Sequence, residues 1–371
     1  MNSKIVVGVI CAAVVIAAVA GIATLTISDD EGPIEFTDSM GRKIVLEGAP
    51  DKVALVNTDL AYYSVLLGVD DKVVAMDTDG LEKMHECTDR FDDIIDVGKR
   101  GTFSTSTAIE KMKLAGVDMV ITPATMGIGS TVLADVIENA GIKVVYLNAF
   151  GDEMLTNLDK MVMIFGDSDA LKDRATVYKT MFNQCISDAK AICPTADRSV
   201  DFLCYMWSST GTVGNYYLST SELSGIISSV SGTNAAYATS GSFTSYQNEA
   251  LYELFYDGTE PVLDIHFIRG SDSATYDVIV NTVGAQSLTS SIDVAKYSDI
   301  NTDCRTVYIN THVASGLMSC YSYLIYAYVF SDTLDQTHID DLESRVNAFM
   351  DGIGLHFIVD EDHPLVSVVT Y

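Results

Sequence analysis

The sequence predicts an α/β fold of two lobes, each built on a mainly parallel sheet and joined by one long helix. Three observations predict it. Between Phe36 and Leu147, short apolar runs alternate with helical stretches that stop at glycine. From Asp152 to about Ile192 the pattern is helical, interrupted only at Gly166-Asp167-Ser168. After Pro194 the alternation of strand and helix resumes. At 371 residues the chain is too long for one ordinary core and suits two.

The first lobe can be taken in order. "KVALVN" (Lys52–Asn57) reads as a short buried strand, and Asp59–Leu67 as a helix stopped by Gly68. "KVVAMD" (Lys72–Asp77) is a strand, followed by an irregular acidic loop, and "IIDVG" (Ile94–Gly98) is short and apolar. Ser106 or Thr107 caps a helix to Ala115, stopped by Gly116. "DMVITP" (Asp118–Pro123) is a strand ended by proline. Ser130 caps a helix to Ala140, stopped by Gly141, and "KVVYLN" (Lys143–Asn148) is the next strand. Glycine stops ahead of apolar runs give the βαβ rhythm of a Rossmann-like lobe, with right-handed crossovers.

The connecting helix carries Leu171, Ala175, Tyr178, Phe182, Cys185 and Ala189 at steps of three and four, which is one apolar face. In the second lobe, "SVDFLCYMW" (Ser199–Trp207), "PVLDIHF" (Pro261–Phe267) and "RTVYIN" (Arg305–Asn310) read as strands. "GTVGNYYLSTS" reads as a loop, Glu222–Val230 as a helix, and Thr244 or Ser245 as the start of a helix to Phe255. Tyr276–Val283 fits helix or strand, and helices follow near Gly316–Phe330 and His338–Met350. "GLMSCYSYLIYAYVF" is too short and too rich in Ser and Tyr to span a membrane. The expected layout is 1–28 anchor or signal segment, 33–150 N-terminal lobe, 151–195 connecting helix, 196–356 C-terminal lobe and 357–371 a tail without assigned role.

Composition narrows the function. Nearly half the residues are apolar (48%) and a fifth are charged (20%), so the chain folds rather than staying disordered. A net charge of -29 repels phosphate backbones and argues against nucleic acid as a partner. Ile5–Ile27 is a run of 23 residues without a charge, long enough for a hydrocarbon core of about 30 Å. Lys4 precedes it and Asp29, Asp30 and Glu31 follow, which places the bulk of the chain outside the cytoplasmic membrane. The run is read as an uncleaved anchor. A cleavable signal peptide ending near Ala18-Val19-Ala20 is the alternative.

Six cysteines lie beyond that run, at 87, 185, 193, 204, 304 and 320. None forms a CxxC pair or has a histidine at ligand spacing, so a structural zinc site is not expected. An outside location permits disulfides among them, with no pairing fixed by the sequence; the alternative is that most are buried thiols.

Catalytic motifs are absent: the chain has no GxSxG, HExxH, Walker A or GxGxxG. "GIGST" (Gly127–Thr131) opens a helix and has no P-loop lysine, so it reads as a helix-start loop. His266 sits in an apolar strand and reads as core, whereas His312, just past "VYIN", is a candidate to face a cleft. Open α/β sheets bind ligands beyond the carboxyl ends of their strands. On the first lobe those loops carry Asn57, Thr58 and Asp59, then Lys99, Arg100 and Phe103. Lys99 and Arg100 are a rare basic pair, suited to a carboxylate or phosphate, or simply a solvated loop. On the second lobe, Tyr205, Trp207, Tyr216 and Tyr217 are candidates for a rigid aromatic floor, the alternative being that Tyr205 and Trp207 face a core.

The opening stretch carries a resemblance. "FTDSMGRKIVLEGAPDKVALVNTDLAYYSVLLGVDDKVVAMD" resembles the start of the class III periplasmic binding proteins, the substrate-binding components of ABC importers for iron–siderophores, haem and cobalamin. Thr37, Asp38, Gly41, Arg42, Pro50, Leu67, Gly68, Asp71, Lys72, Val73 and Val74 follow that family's order. "DVGKRGTFSTSTAIEKMKLAGVDMVI" is similar to its next segment, although Gly116 and Val117 stand where the family often has Lys-Pro. The likeness runs from about Ile34 to Gly354 and is looser in the second lobe.

The resemblance implies a binding protein rather than an enzyme, with a ligand cleft between the lobes and a stiff helical connector. It implies a ferric chelate as ligand, with haem or cobalamin as the alternative and Tyr205, Tyr216, Tyr217 or His312 as axial ligands. No intrinsic cofactor and no bare metal site are expected. The implied partners are an ABC permease and its ATPase, docked through Glu110 on the first lobe and Glu249 on the second. A cell-surface enzyme or a sensor domain on the same frame is the competing reading from another class.

Overall fold

A computed structural model of the protein describes residues 33–124, 131–151, 153–193, 200–206, 214–217, 222–230, 232–234, 243–246, 264–270, 274–281, 305–314, 316–356 and 359–369. The apolar run Ile5–Ile27 lies outside them. The chain divides into two compact units. The first runs to Met181 and includes Asn347–Phe357; the second comprises Phe182–Val346 and Ile358–Tyr371. The end of the last helix thus belongs with the first unit, not with the C-terminal lobe.

The first unit opens with an antiparallel hairpin, β1 (Ile34–Thr37) and β2 (Lys43–Leu46). Its turn is locked by Asp38. That carboxylate accepts from the backbone N–H of Met40 and Arg42 and from Nε of Arg42, at 3.0, 2.9 and 2.9 Å. Gly41 takes φ 76°, which the tight turn requires.

A five-stranded parallel sheet follows, in the order β5 (Ile95–Asp96), β4 (Val73–Met76), β3 (Val53–Leu55), β6 (Met119–Thr122), β7 (Lys143–Tyr146). The strands β3 and β6 are wholly buried, as continuous apolar runs in a parallel sheet covered on both faces should be. Helix α1 (Thr58–Leu67) buries every residue but Asp59, and Gly68 ends it at φ 72°.

Thr78–Cys87, expected as an acidic loop, is helix α2. Its apolar residues are few, but Leu81, Met84 and Cys87 fall three apart on one buried stripe, and Asp77 caps it. Helix α3 (Ser106–Ala115) is capped by Thr105, one residue earlier than expected, whose Oγ1 accepts from Ala108 N–H at 3.3 Å. Helices α4 (Thr131–Glu138), α5 (Met154–Ile164) and α6 (Asp169–Ile192) complete the order. The 24 residues of α6 supply both units, with Phe182 at the change-over.

The second unit holds one sheet with a parallel centre: β8 (Val200–Met206), β12 (Ile265–Arg269) and β13 (Arg305–Ile309). Strand β10 (Gly232–Asn234) pairs parallel to the start of β8, and β9 (Gly214–Tyr217) antiparallel to its end. Strand β11 (Phe243–Tyr246) pairs antiparallel to β9. These correct two expectations: β9 falls in the supposed loop, and β11 covers Thr244 and Ser245, the supposed helix start. Tyr216, Tyr217, Phe243, Thr244 and Tyr246 favour a pleated surface, and a hydroxyl near a glutamate does not outweigh ladder pairing.

Helix α7 (Glu222–Val230) precedes β10, and residues 276–281 are helical. After β13 come a short helix α8 (Thr311–Ala314), helix α9 (Ser319–Phe330) and helix α10 (Gln336–Ile353). Helix α9 buries all but two of its residues, Tyr323 and Tyr328, so it is a core helix. Among the described residues no helix is long and apolar enough to cross a membrane. The unassigned tail forms β14 (Val366–Val369), antiparallel to β13. Cys185, Cys193, Cys204 and Cys320 are free, buried thiols, and Cys87 is buried as well.

Candidate functional site

In the first unit the chain steps from β3 to β4 to β5 and then returns to β6 on the other side of β3. The strand order therefore reverses between β3 and β6. In open α/β sheets that reversal opens a crevice at the carboxyl ends of the strands. Among the described residues, the loops after β3, β4 and β5 stand at those ends.

Asn57 is the second of the two residues in the loop after β3. Its φ of 103° and ψ of 136° belong to a region that glycine occupies and other residues rarely do. Two short hydrogen bonds hold it there. Its backbone N–H donates to Asp77 Oδ1 at 2.6 Å, and its own Oδ1 accepts from Asp59 N–H at 2.6 Å, capping α1. Thr58, the next residue, is 7% exposed, and its Oγ1 has no hydrogen-bond partner among the described residues.

Asp77, after β4, is the centre of the face. Its side chain is fully buried and accepts from Asn57 N–H, Gly80 N–H and Arg100 Nε, at 2.6, 3.2 and 3.0 Å. Sequence reasoning missed it. The available signal was an aspartate closing an apolar run just before a helix start. Arg100 follows β5 in a 3₁₀ turn (Arg100–Thr102), with Lys99 beside it and exposed.

The structure thus brings Asn57, Thr58, Asp59 and Arg100 to one sheet end, through Asp77. Phe103 is a correction. It is fully buried among Val97, Met112 and Val120, so it is core beneath the loop rather than a ligand contact. Glu110 is exposed on α3.

In the second unit Tyr205 is a second correction. It is fully buried, and its ring meets that of His266 edge-on at 6.4 Å. Residues of β8 alternate between the sheet faces, and Tyr205 faces packed side chains, not an open floor. His266 is core as expected; burial lowers its pKa to about 4. Tyr216 stands opposite Tyr205 in the ladder, and Tyr217 opposite Phe243. His312 is half-buried in the first turn after β13, with its N–H donating to Asn310 Oδ1 at 3.0 Å. Trp207 and Glu249 lie outside the described residues. No group of three or more His, Cys, Asp or Glu that could hold a metal ion occurs among the described residues. A groove of about 410 Å³ lies instead near the amino ends of β6 and β7, lined by Val45, Pro50, Asp118 and Lys143.

No family model and no curated protein matches the chain. Solved structures do. The TroA-like periplasmic binding protein FepB from Veillonella parvula superposes with a TM-score of 0.66 at 14% identity, covering 91% of this chain and 100% of its own. The chain has the fold of a TroA-like periplasmic binding protein. An Fe3+-hydroxamate transport system protein from Saccharomonospora viridis (TM-score 0.57, 15% identity) covers 81% of this chain and 99% of its own. The periplasmic haem-binding protein HutB of Vibrio cholerae (TM-score 0.53, 17% identity) covers 76% and 99%. Both share the fold with this chain.

Proposed function

We propose that the chain is the substrate-binding component of an ABC importer, taking up a ferric chelate and handing it to a permease and its ATPase. The observation that carries this reading is the full-length likeness to FepB, which spans all of that chain and nearly all of this one. The ligand is a siderophore-like iron complex, with haem as the second candidate, because proteins named for each share the fold. Cobalamin is retained as a third probe.

The ligand contacts proposed in the first unit are Asn57, Thr58, Asp59, Lys99 and Arg100, and those proposed in the second are Trp207, Tyr216, Tyr217 and His312. Glu110 and Glu249 dock the permease, and the Ile5–Ile27 run tethers the protein outside the cytoplasmic membrane. The exposure of Glu110 on a helix surface supports its part in docking. No enzymatic step is assigned.

The test uses the chain's single tryptophan. Residues 29–371 are titrated with ferric hydroxamates, haemin and cobalamin while Trp207 fluorescence is followed, and hits are confirmed by calorimetry. Saturable one-to-one binding by one class, at micromolar concentration or below, is the expected result. No response to any of the three overturns metal-chelate uptake and leaves the fold untouched.

A further inference from the structure

Asp77 ties together three segments that follow three different strands. A carboxylate withdrawn from water needs donors for its oxygens. Asp77, fully buried, takes one from the loop after β3 (Asn57 N–H), one from the start of α2 (Gly80 N–H) and one from the loop after β5 (Arg100 Nε). Two of these are backbone amides and carry no charge. Arg100 is the only cation paired with Asp77 among the described residues.

The way Arg100 is held has a chemical consequence. A guanidinium offers donors along two edges of a rigid plane. Bonding through Nε occupies one edge and leaves Nη1 and Nη2, two parallel donors matched to a carboxylate or another pair of oxygens. Neither Nη has a hydrogen-bond partner among the described residues, and the side chain is 26% exposed. Lys99 next to it is exposed as well. In a chain of net charge -29, two adjacent cations on a strand-end loop are a local exception.

We infer that Asp77 is a positioning residue for ligand recognition, fixing the Arg100 guanidinium by its Nε edge so that the Nη edge is presented to paired oxygens of the ligand. The inference rests on the binding-protein reading and names the residue that sets its geometry. Asp77 touches no ligand. It acts by removing rotamer freedom from Arg100 before the ligand arrives, which lowers the entropic cost of the new hydrogen bonds. The same carboxylate fixes the Asn57 amide, so the loops after β3 and β5 are set relative to one another by one group.

The test is a double-mutant cycle on residues 29–371, with haemin, which carries carboxylates, and a ferric trihydroxamate as probes. Dissociation constants are measured for the unsubstituted protein, D77N, R100A and the double variant, each checked for folding by circular dichroism. Each single variant is expected to weaken the better-bound probe by about 10-fold or more, and D77N to add less than about 2-fold in the R100A background. R100K keeps the charge but not the planar fork and is expected to bind as weakly as R100A. It also covers the case in which D77N does not fold.

If D77N weakens binding equally in both backgrounds, or if R100K binds like the unsubstituted protein, the positioning role is overturned while the uptake reading stands. If the unsubstituted protein binds none of the chelates, the uptake reading falls, and the inference with it.

Discussion

The guanidinium of Arg42 lies 4.7 Å from the centre of the Tyr146 ring, and its Nη2 donates to the carbonyl of Val144 at 2.6 Å. The opening hairpin is thereby fastened to β7, the edge strand of the first sheet. The fully buried carboxylate of Asp38 completes the clasp on Nε of Arg42 and lies 3.4 Å from the Tyr146 N–H. The Thr37–Arg42 motif of the resemblance is therefore structural. Replacing Asp38 by Ala strips four donors of a buried acceptor and leaves Arg42 without its closest carboxylate. A loss of about 3 kcal/mol is expected, or a Tm lower by about 6–12 °C. Thermal melts check it. A shift below about 2 °C contradicts the clasp.

Gly68 and Gly141 separate two costs of adding a side chain. Both have positive φ, 72° and 89°. A Cβ at Gly141 meets nothing within 4 Å, whereas one at Gly68 runs into the guanidinium of Arg174. Gly141→Ala is expected to cost about 1 kcal/mol from backbone strain alone. Gly68→Ala is expected to cost more, about 2–3 kcal/mol, because Arg174 is half-buried and its movement disturbs the charge beside Asp70. Denaturant midpoints rank the two, and equal losses contradict the contact.

What could be read from the sequence follows what local chemistry decides. The glycine stops at 68, 116 and 141, and the apolar runs that become β3, β4, β6 and β7, are local signals, and the elements stand where those signals put them. Helix α2 was hidden because its buried stripe is only three residues deep. Strands β9 and β11 were hidden because pairing between distant segments, Tyr217 with Phe243 26 residues later, overrides a local helix-start pattern. At the site, Lys99 and Arg100 stood out as charges. Asp77 did not, because its importance lies in reaching Asn57, 20 residues earlier, and Arg100, 23 residues later. Tyr205 and Phe103 had composition suited to a ligand floor, but strand alternation and a turn of 3₁₀ helix send them inward.

His266 gives a pH dependence with a defined sign. Its folded pKa is lowered from 6.5 to about 4 by burial. Between those values the unfolded chain binds the proton and the folded one does not, so stability falls as pH drops from about 6.5 towards about 4. The full contribution is about 3 kcal/mol. His266→Gln removes the titration. Tm followed from pH 7 to pH 4 should fall less steeply in the variant; parallel curves would mean that His266 is not held neutral.

The tail is expected to matter for stability. Leu365 and Val366 are buried, and β14 closes one edge of the second sheet with a ladder to β13 from Ile309↔Val366 to Thr306↔Val369. Asn310 N–H also donates to Leu365 O at 2.9 Å. Ending the chain at Pro364 exposes the unpaired edge of β13, which carries Val307, Tyr308 and Ile309. Unpaired apolar edges recruit other chains. Light scattering should show association on gentle heating at a temperature where the full-length protein remains monodisperse.

Asn57 offers the sharpest separation of strain from bonding. Its φ of 103° costs an asparagine about 1–3 kcal/mol and a glycine almost nothing. Its side chain contributes one helix cap, the bond from Asp59 N–H, and glycine at that position gives up only a few tenths of a kcal/mol. Relief of strain outweighs the lost cap, so Asn57→Gly should stabilise the protein by about 1 kcal/mol. Asn57→Ala keeps the strain and loses the cap, so it should destabilise by about 1 kcal/mol. The order Gly above Asn above Ala in denaturant midpoint is the expected result. An order with Asn highest would mean that the side chain, rather than the bond from its backbone N–H to Asp77, holds this conformation. Ligand affinity, measured on the same variants, then tells whether the strained loop is retained for binding. A more stable Asn57→Gly that binds more weakly is the expected combination, because glycine leaves the loop free to take other conformations when no ligand is present.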